Sequence, residues 1–208
     1  MKEIILIGAG GHAGSCIDVI ETEGRFRIAG LVGRDVELHQ RLCGYEVIAS
    51  DKDFPKLATE YGYALVTVGQ IKSPQKRIHL YEQVRKAGLM LPVIVSPYAH
   101  VSKHARIGDG TVVMHGSTVN TNARVGVNCI INSRVLVEHD AAVGDHCHIS
   151  TGAILNGNVQ VGARSFVGSG TVTKHGVSVG ADCVIGMGSV VRHNLPEETT
   201  FWPGGGNG

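Results

Sequence analysis

Of eleven histidines in the chain, His139 stands between two carboxylates, Glu138 and Asp140. An imidazole beside a carboxylate suits a general base, because the carboxylate fixes the tautomer and raises the basicity of the free ring nitrogen toward neutral pH. His148 follows nine residues later at an outward position half a coil further round the repeat described below, where it could donate a hydrogen bond to a bound acyl group. His146 and His148, two residues apart on one strand face, are also spaced to hold a metal ion with a ligand from a second subunit. Near the N-terminus, Gly8-Ala9-Gly10-Gly11-His12-Ala13 forms a glycine-rich turn between an apolar strand and a helix. Such a turn lets backbone amides approach a phosphate, and the helix N-terminus adds partial positive charge.

These residues need elements to hold them. From Val101 to Val191 an aliphatic residue falls at every sixth position, as at Val113, Val119, Val125 and Ile131, and only Thr173 breaks the series. A period of six fits neither a helix face nor a hairpin; it is the signature of a parallel β-helix of the hexapeptide type, and known prisms of this repeat wind left-handed. Three hexads make one triangular coil of eighteen residues, and about five coils stack into a prism roughly 24 Å tall. Four residues after each aliphatic comes a small inward position, which holds Cys129, Cys147 and Cys183. Gly108, Gly126, Gly144, Gly162 and Gly180 recur eighteen apart and read as corners that need a left-handed backbone. His139, two residues after Val137, falls on an outward corner.

Before the repeat the pattern is strand, glycine turn, helix, as in a Rossmann-like unit. A strand over Lys2 to Ile7 precedes a helix from Gly14 to Glu23. Further strands run from Arg27 to Val32, near Tyr45 to Ile48 and from Tyr63 to Val68. A helix from Asp51 to about Tyr61 and another from Ser73-Pro74 to Ala87 alternate with them, and Met90 to Val95 closes the sheet. The expected organisation is an α/β Rossmann-like nucleotide-binding domain over residues 1–95, then an all-β left-handed β-helix with a C-terminal tail over 96–208. Read as G-x-G-x-x-A, the turn nominally matches the dinucleotide fingerprint, but Leu31-Val32-Gly33-Arg34-Asp35 brings its acid late. A nucleotide carried by the substrate therefore fits better than a nicotinamide cofactor.

Bulk properties narrow the partners. A net charge of +1 with 18% charged residues gives no broad basic face, so nucleic acid is not an expected partner. No apolar run is long enough for a membrane span, and Met1 leads straight into Lys2-Glu3 without a secretory signal. Three of the five cysteines at inward positions point to a reducing cytoplasm.

The segment Ile4 to Ala13 (IILIGAGGHA), Thr67-Val68-Gly69, Ser96-Pro97, the hexapeptide run and Val137-Glu138-His139-Asp140 together resemble the bacterial sugar O- and N-acetyltransferases of the sialic-acid O-acetyltransferase type. Members of that group acetylate the 4-amino group of nucleotide-linked aminosugars. The resemblance implies acetyl-CoA as co-substrate, no metal, and a homotrimer with sites between subunits. It makes His139 the general base and Asp140 its support. His148, Gly157, Ser169 and Met187 would lie along acetyl-CoA, with the Gly157 N–H as an oxyanion-type donor. Gly10, Gly11, His12, Gly69 and Asn132 would meet the nucleotide-linked sugar. The chain departs from the group at Gly33-Arg34-Asp35, where relatives carry an Asp-Asp pair, and at its glycine-rich end. O-acetylation of a sialic-acid-type sugar, a γ-carbonic-anhydrase-like metal site and a non-catalytic nucleotide-binding scaffold are the other readings of these residues.

Overall fold

Ile4, Ile5, Leu6 and Ile7 are all buried because the strand they form is covered on both sides. In the computed structural model, which describes residues 1–71 and 73–203, this strand is β1 (Lys2–Ile7). Ile4 and Leu6 pack with Cys16, Ile17 and Ile20 of α1 (Gly11–Glu23), whereas Ile5 and Ile7 pack with Phe54 and Leu57 of α2 (Phe54–Glu60) and Leu80 and Val84 of α3 (Gln75–Lys86). β1 pairs in parallel with β2 (Phe26–Gly33) and β5 (Tyr63–Val66), and β2 with β4 (Tyr45–Ser50); the antiparallel β3 (Arg41–Leu42) ends the sheet. The sheet order is β3-β4-β2-β1-β5. α1 begins at Gly11 rather than Gly14, so the glycine turn is itself the first turn of the helix.

The six-residue period winds into a left-handed parallel β-helix with three faces. The first face carries seven strands, from Ile94–Val95 to Thr200–Phe201; the second carries six, from His100–Val101 to Val190–Val191; the third carries five, from Arg106–Ile107 to Ser178–Val179. Val119, Val137, Ile149 and Leu155 fill the interior together with Ala123, Cys129, Ala141 and Cys147. The prism extends past the expected run at both ends. Ile94–Val95 pairs with Val112–Val113 as the first rung instead of closing the α/β sheet, to which Met90 contributes one bridge at Tyr63. At the other end Thr200–Phe201 pairs with Val184–Ile185; residues 204–208 of the glycine-rich end lie outside the described residues.

The corner glycines have a different reason than expected. A Cβ at Gly162 would lie 2.4 Å from the backbone nitrogen of Ala181 in the next coil, so these glycines permit close stacking rather than a left-handed turn. Positive φ falls two residues further on, at Gly110, Asn128, His146, Arg164 and Asp182, and at the matching corner positions Asn122, Asp140 and Asn158. Asn and Asp tolerate that region better than most residues.

The first domain sits on the first face of the prism. Ile94, Val112, Met114 and Ile130 share a buried cluster with Cys16, Ile17 and Val19 of α1, which is thereby packed between sheet and prism. His115 ties the same junction, with Nε2 2.8 Å from Asp18 Oδ2 and Nδ1 2.6 Å from Ser96 Oγ.

Candidate active site

His139 stands on the edge where the second and third faces meet, between Leu136–Val137 and Ala142–Val143. Its side chain is 55% exposed. Nδ1 is 2.9 Å from Asp140 Oδ2. A carboxylate only accepts, so Nδ1 carries the hydrogen and Nε2 keeps the lone pair. The hydrogen bond to Asp140 raises the imidazole's pKa, and its counterpart lowers that of Asp140. Asp140 is the residue of the corner with φ near +60°, so one side chain supplies both the turn and the tautomer. Asn122, one coil away, donates to Asp140 Oδ1 at 3.2 Å, and Asn120 donates to Glu138 Oε2 at 3.0 Å. These two braces were not evident in the sequence; their eighteen-residue offset from Glu138 and Asp140 is the signal that finds them.

Gly157 lies directly above this ring. A Cβ there would be 2.7 Å from His139 Nε2 and 3.0 Å from His175 Nδ1, so two imidazoles flank one glycine. The Gly157 N–H makes no hydrogen bond among the described residues. His175, whose ring centroid is 6.3 Å from that of His139, was missed by the sequence reading. Its spacing of two coils from His139 was the available clue. Thr173, the break in the aliphatic series, is buried below this corner: its Oγ1 accepts from the Asn156 N–H at 3.1 Å, and its carbonyl accepts from Asn156 Nδ2 at 2.6 Å. The polar substitution thus braces the residue before Gly157.

The remaining candidates lie elsewhere. Gly10, Gly11, His12 and Gly69 line a cleft of about 360 Å³ in the first domain, with Arg34, Glu37 and Lys76 at its polar side. The first backbone amides of α1 open here, as anion binding at a helix N-terminus requires. Glu37, which the sequence reading did not single out, folds back through a single helical turn so that its carboxylate accepts the Arg34 N–H at 2.7 Å. An acid therefore stands at the end of β2 although Asp35 does not supply it.

His148 and Asn132 form a third group. His148 faces outward from the prism, but the first domain covers it, leaving 7% exposed. Its Nδ1–H donates to the Gln70 carbonyl at 2.6 Å, and Asn132 Nδ2 donates to its Nε2 at 3.3 Å. Burial lowers its pKa to about 4. In this state Nε2 is an acceptor, which corrects the expectation of a donor. His146 instead pairs with Asn128 Nδ2 at 3.0 Å, so the two rings whose spacing would allow a shared metal engage different partners. Among the described residues no three His, Cys, Asp or Glu side chains converge into a metal-binding group. His12 links cleft and prism, its ring centroid 6.5 Å from that of His148. Burial lowers its pKa to about 3. Ser169, 2.9 Å from Ser150, and the 73% exposed Met187 continue along the edge between first and second faces, as does Asn132.

The predicted residues thus fall into two sets within one chain. His139, Asp140 and Gly157 occupy the prism edge opposite the first face; Asn132, His148, Ser169 and Met187 adjoin the face that carries the nucleotide-type cleft.

Residues 3–84 match the PglD N-terminal domain, and residues 158–192 match the hexapeptide repeat of succinyl-transferase. No curated protein sequence matches. The structure of PerB from Caulobacter crescentus in complex with CoA and GDP-perosamine is similar at 31% identity and a TM-score of 0.89, covering 96% of this chain and 93% of that one. The acetyltransferase domain of PglB from Neisseria gonorrhoeae, in complex with acetyl coenzyme A, is similar at 29% identity and a TM-score of 0.88, over 96% and 95% of the two chains. WeeI from Acinetobacter baumannii shares the fold at 22% identity and a TM-score of 0.85, over 96% of each chain. Both domains and their junction are thus matched together, and the chain belongs to the sugar acetyltransferases of the left-handed β-helix type that carry a PglD-type N-terminal domain.

Proposed function

We propose that the protein transfers the acetyl group of acetyl-CoA to the 4-amino group of a nucleotide-linked aminosugar, with His139 as general base. The observation that carries this reading is the unprotonated Nε2 of His139, its tautomer fixed by Asp140, standing beside Gly157, whose backbone N–H makes no hydrogen bond among the described residues. The amine attacks the thioester carbon, Nε2 takes the amine proton, the carbonyl oxygen draws on the Gly157 N–H, and the tetrahedral intermediate expels the thiolate of CoA. No covalent acyl-enzyme is required. The nucleotide moiety occupies the cleft of Gly10, Gly11, His12 and Gly69, with its phosphates toward the amides that open α1. Asn132 and His148 line the groove where sugar and thioester meet, and Ser169 and Met187 lie along the pantetheine.

The opposition of His139 to the cleft within one chain supports sites shared between copies, and hence a closed homotrimer in which the edge of one prism faces the Asn132 edge of the next. Thiol release from acetyl-CoA against a panel of UDP- and GDP-linked 4-aminosugars, with free and CMP-linked sialic acids as controls, tests the acceptor; turnover confined to the sialic acids would overturn it. Co-expression of His139→Ala with Asn132→Ala tests the sharing. If each site draws on two copies, about a quarter of all sites regain both groups when the two variants assemble at random; a mixture as inactive as its parents overturns the shared site.

A further inference from the structure

Arg77 of α3 is 1% exposed and has no carboxylate partner among the described residues. Its Nη1 donates to Gln70 Oε1 at 3.1 Å, and Nη2 donates to the Asn128 carbonyl at 2.7 Å and to Asn128 Oδ1 at 3.1 Å. Its Nε–H has no partner among the described residues. A buried guanidinium that meets only neutral oxygens is costly, and an apolar residue of similar length would fill the space more cheaply. Stability alone gives no reason for its presence, and what it holds gives one.

The hydrogen bonds running on from Arg77 have fixed directions. Gln70, whose Oε1 accepts from Arg77, offers its own carbonyl to His148. A carbonyl accepts, so Nδ1 of His148 carries the hydrogen and Nε2 does not. Nε2 accepts from Asn132 Nδ2, and Asn132 Oδ1 accepts the Ser133 N–H at 2.8 Å, which settles the orientation of the amide. Asn132 is left with one amide hydrogen and one oxygen lone pair to offer the groove.

We propose that Arg77 is a positioning residue, which through Gln70 holds His148 as a hydrogen-bond acceptor and so, together with the Ser133 N–H, holds the amide of Asn132 in its orientation. This rests on the reading that Asn132 lines the groove between sugar and thioester. The titratable groups that face His148 are His12 from α1 and Arg77 from α3, and Phe166 packs edge-on at a ring-centroid distance of 5.2 Å. Each of these elements excludes water, and the Arg77 charge opposes a proton on either imidazole.

The test uses Arg77→Met, which keeps the length and removes every donor, and Gln70→Met, which cuts the chain while leaving Arg77 in place. Histidine ring nitrogens read by NMR from pH 5 to 8 report the tautomer of His148, and thiol release reports kcat/KM. In the wild type His148 holds its hydrogen on Nδ1 throughout. In both variants it exchanges between tautomers or gains a proton within this range, and kcat/KM falls about tenfold, the scale of one lost hydrogen bond in a site. An unchanged tautomer overturns the proposal whatever the rates; a changed tautomer with unchanged kcat/KM overturns the dependence of Asn132 on it. If Arg77→Met does not fold, Gln70→Met decides by the same two measurements. Asn132→Ala separates the two levels: an unchanged kcat/KM there removes Asn132 from the groove while the tautomer experiment still stands.

Discussion

His139 and His148 lie nine residues apart on the same prism, yet their surroundings drive them in opposite directions. At the open edge, His139 keeps water on most of its ring and a carboxylate on Nδ1, and its pKa rises. On the covered face, His148 has lost its water to the first domain and has a backbone carbonyl on Nδ1, and its pKa falls to about 4. Both rings carry the hydrogen on Nδ1 and the lone pair on Nε2. The partner decides what that lone pair is for. Beside a carboxylate the proton gained from a substrate is stabilised, which suits a base; in a dry interface near the Arg77 cation it is resisted, against the pull of the Gln70 carbonyl, which suits a fixed acceptor.

This contrast can be broken at several points. The largest effect is expected from His139→Ala, whose kcat falls by roughly 10²-fold or more with little change in KM, the usual scale for a lost general base; near wild-type turnover on the correct aminosugar would end the assignment. Gly157→Ala comes next. The backbone there needs no positive φ, so the added methyl displaces the His139 ring rather than the coil, and turnover drops by about 10- to 100-fold at unchanged Tm. A fall in Tm without loss of turnover would show that the glycine serves only packing.

Asp140→Asn is expected to cost about tenfold in kcat, with a diagnostic pH profile. A general base works when unprotonated, so the wild-type rate rises with pH through the raised pKa of His139. Removing the carboxylate moves that rise to lower pH, and a profile that stays in place would separate Asp140 from the base. The smallest effect is on acid stability. His12 and His148 have depressed folded-state pKa values, about 3 and about 4, so the unfolded chain binds more protons below pH 6.5. Stability is fully present above about pH 6.5 and declines as pH falls toward 4. His148→Gln should flatten this decline and recover a few degrees of Tm at pH 5 relative to pH 7; an identical slope would mean that other groups carry it.

Much of the prism was legible because its period is strict. One aliphatic in six forces the interior, and the interior forces the corners; His139 could be placed on an outward corner by counting alone. The ends were less legible. Ile94–Val95 reads as one more apolar strand, and only its pairing with Val112–Val113 assigns it to the prism. The recurring glycines were visible, but their cause was not: close stacking against the next coil leaves the same trace in a sequence as a left-handed turn. Glu37 at the end of β2 was missed because a single turn brings it back by three residues, a displacement no spacing rule shows.

The sequence by itself determined the coil, its registers and the pairing of His139 with Asp140, since each depends on neighbours a few residues or one repeat away. Only the tertiary structure decided what became of His148, and that Arg77 reaches Gln70 and Asn128, because these depend on which face of the prism the first domain covers. It also put the candidate base on the edge opposite that face. A periodic chain writes its local contacts into its spacing, whereas the docking of one domain on another involves residues up to 97 apart, such as Asp18 and His115, and follows no period at all.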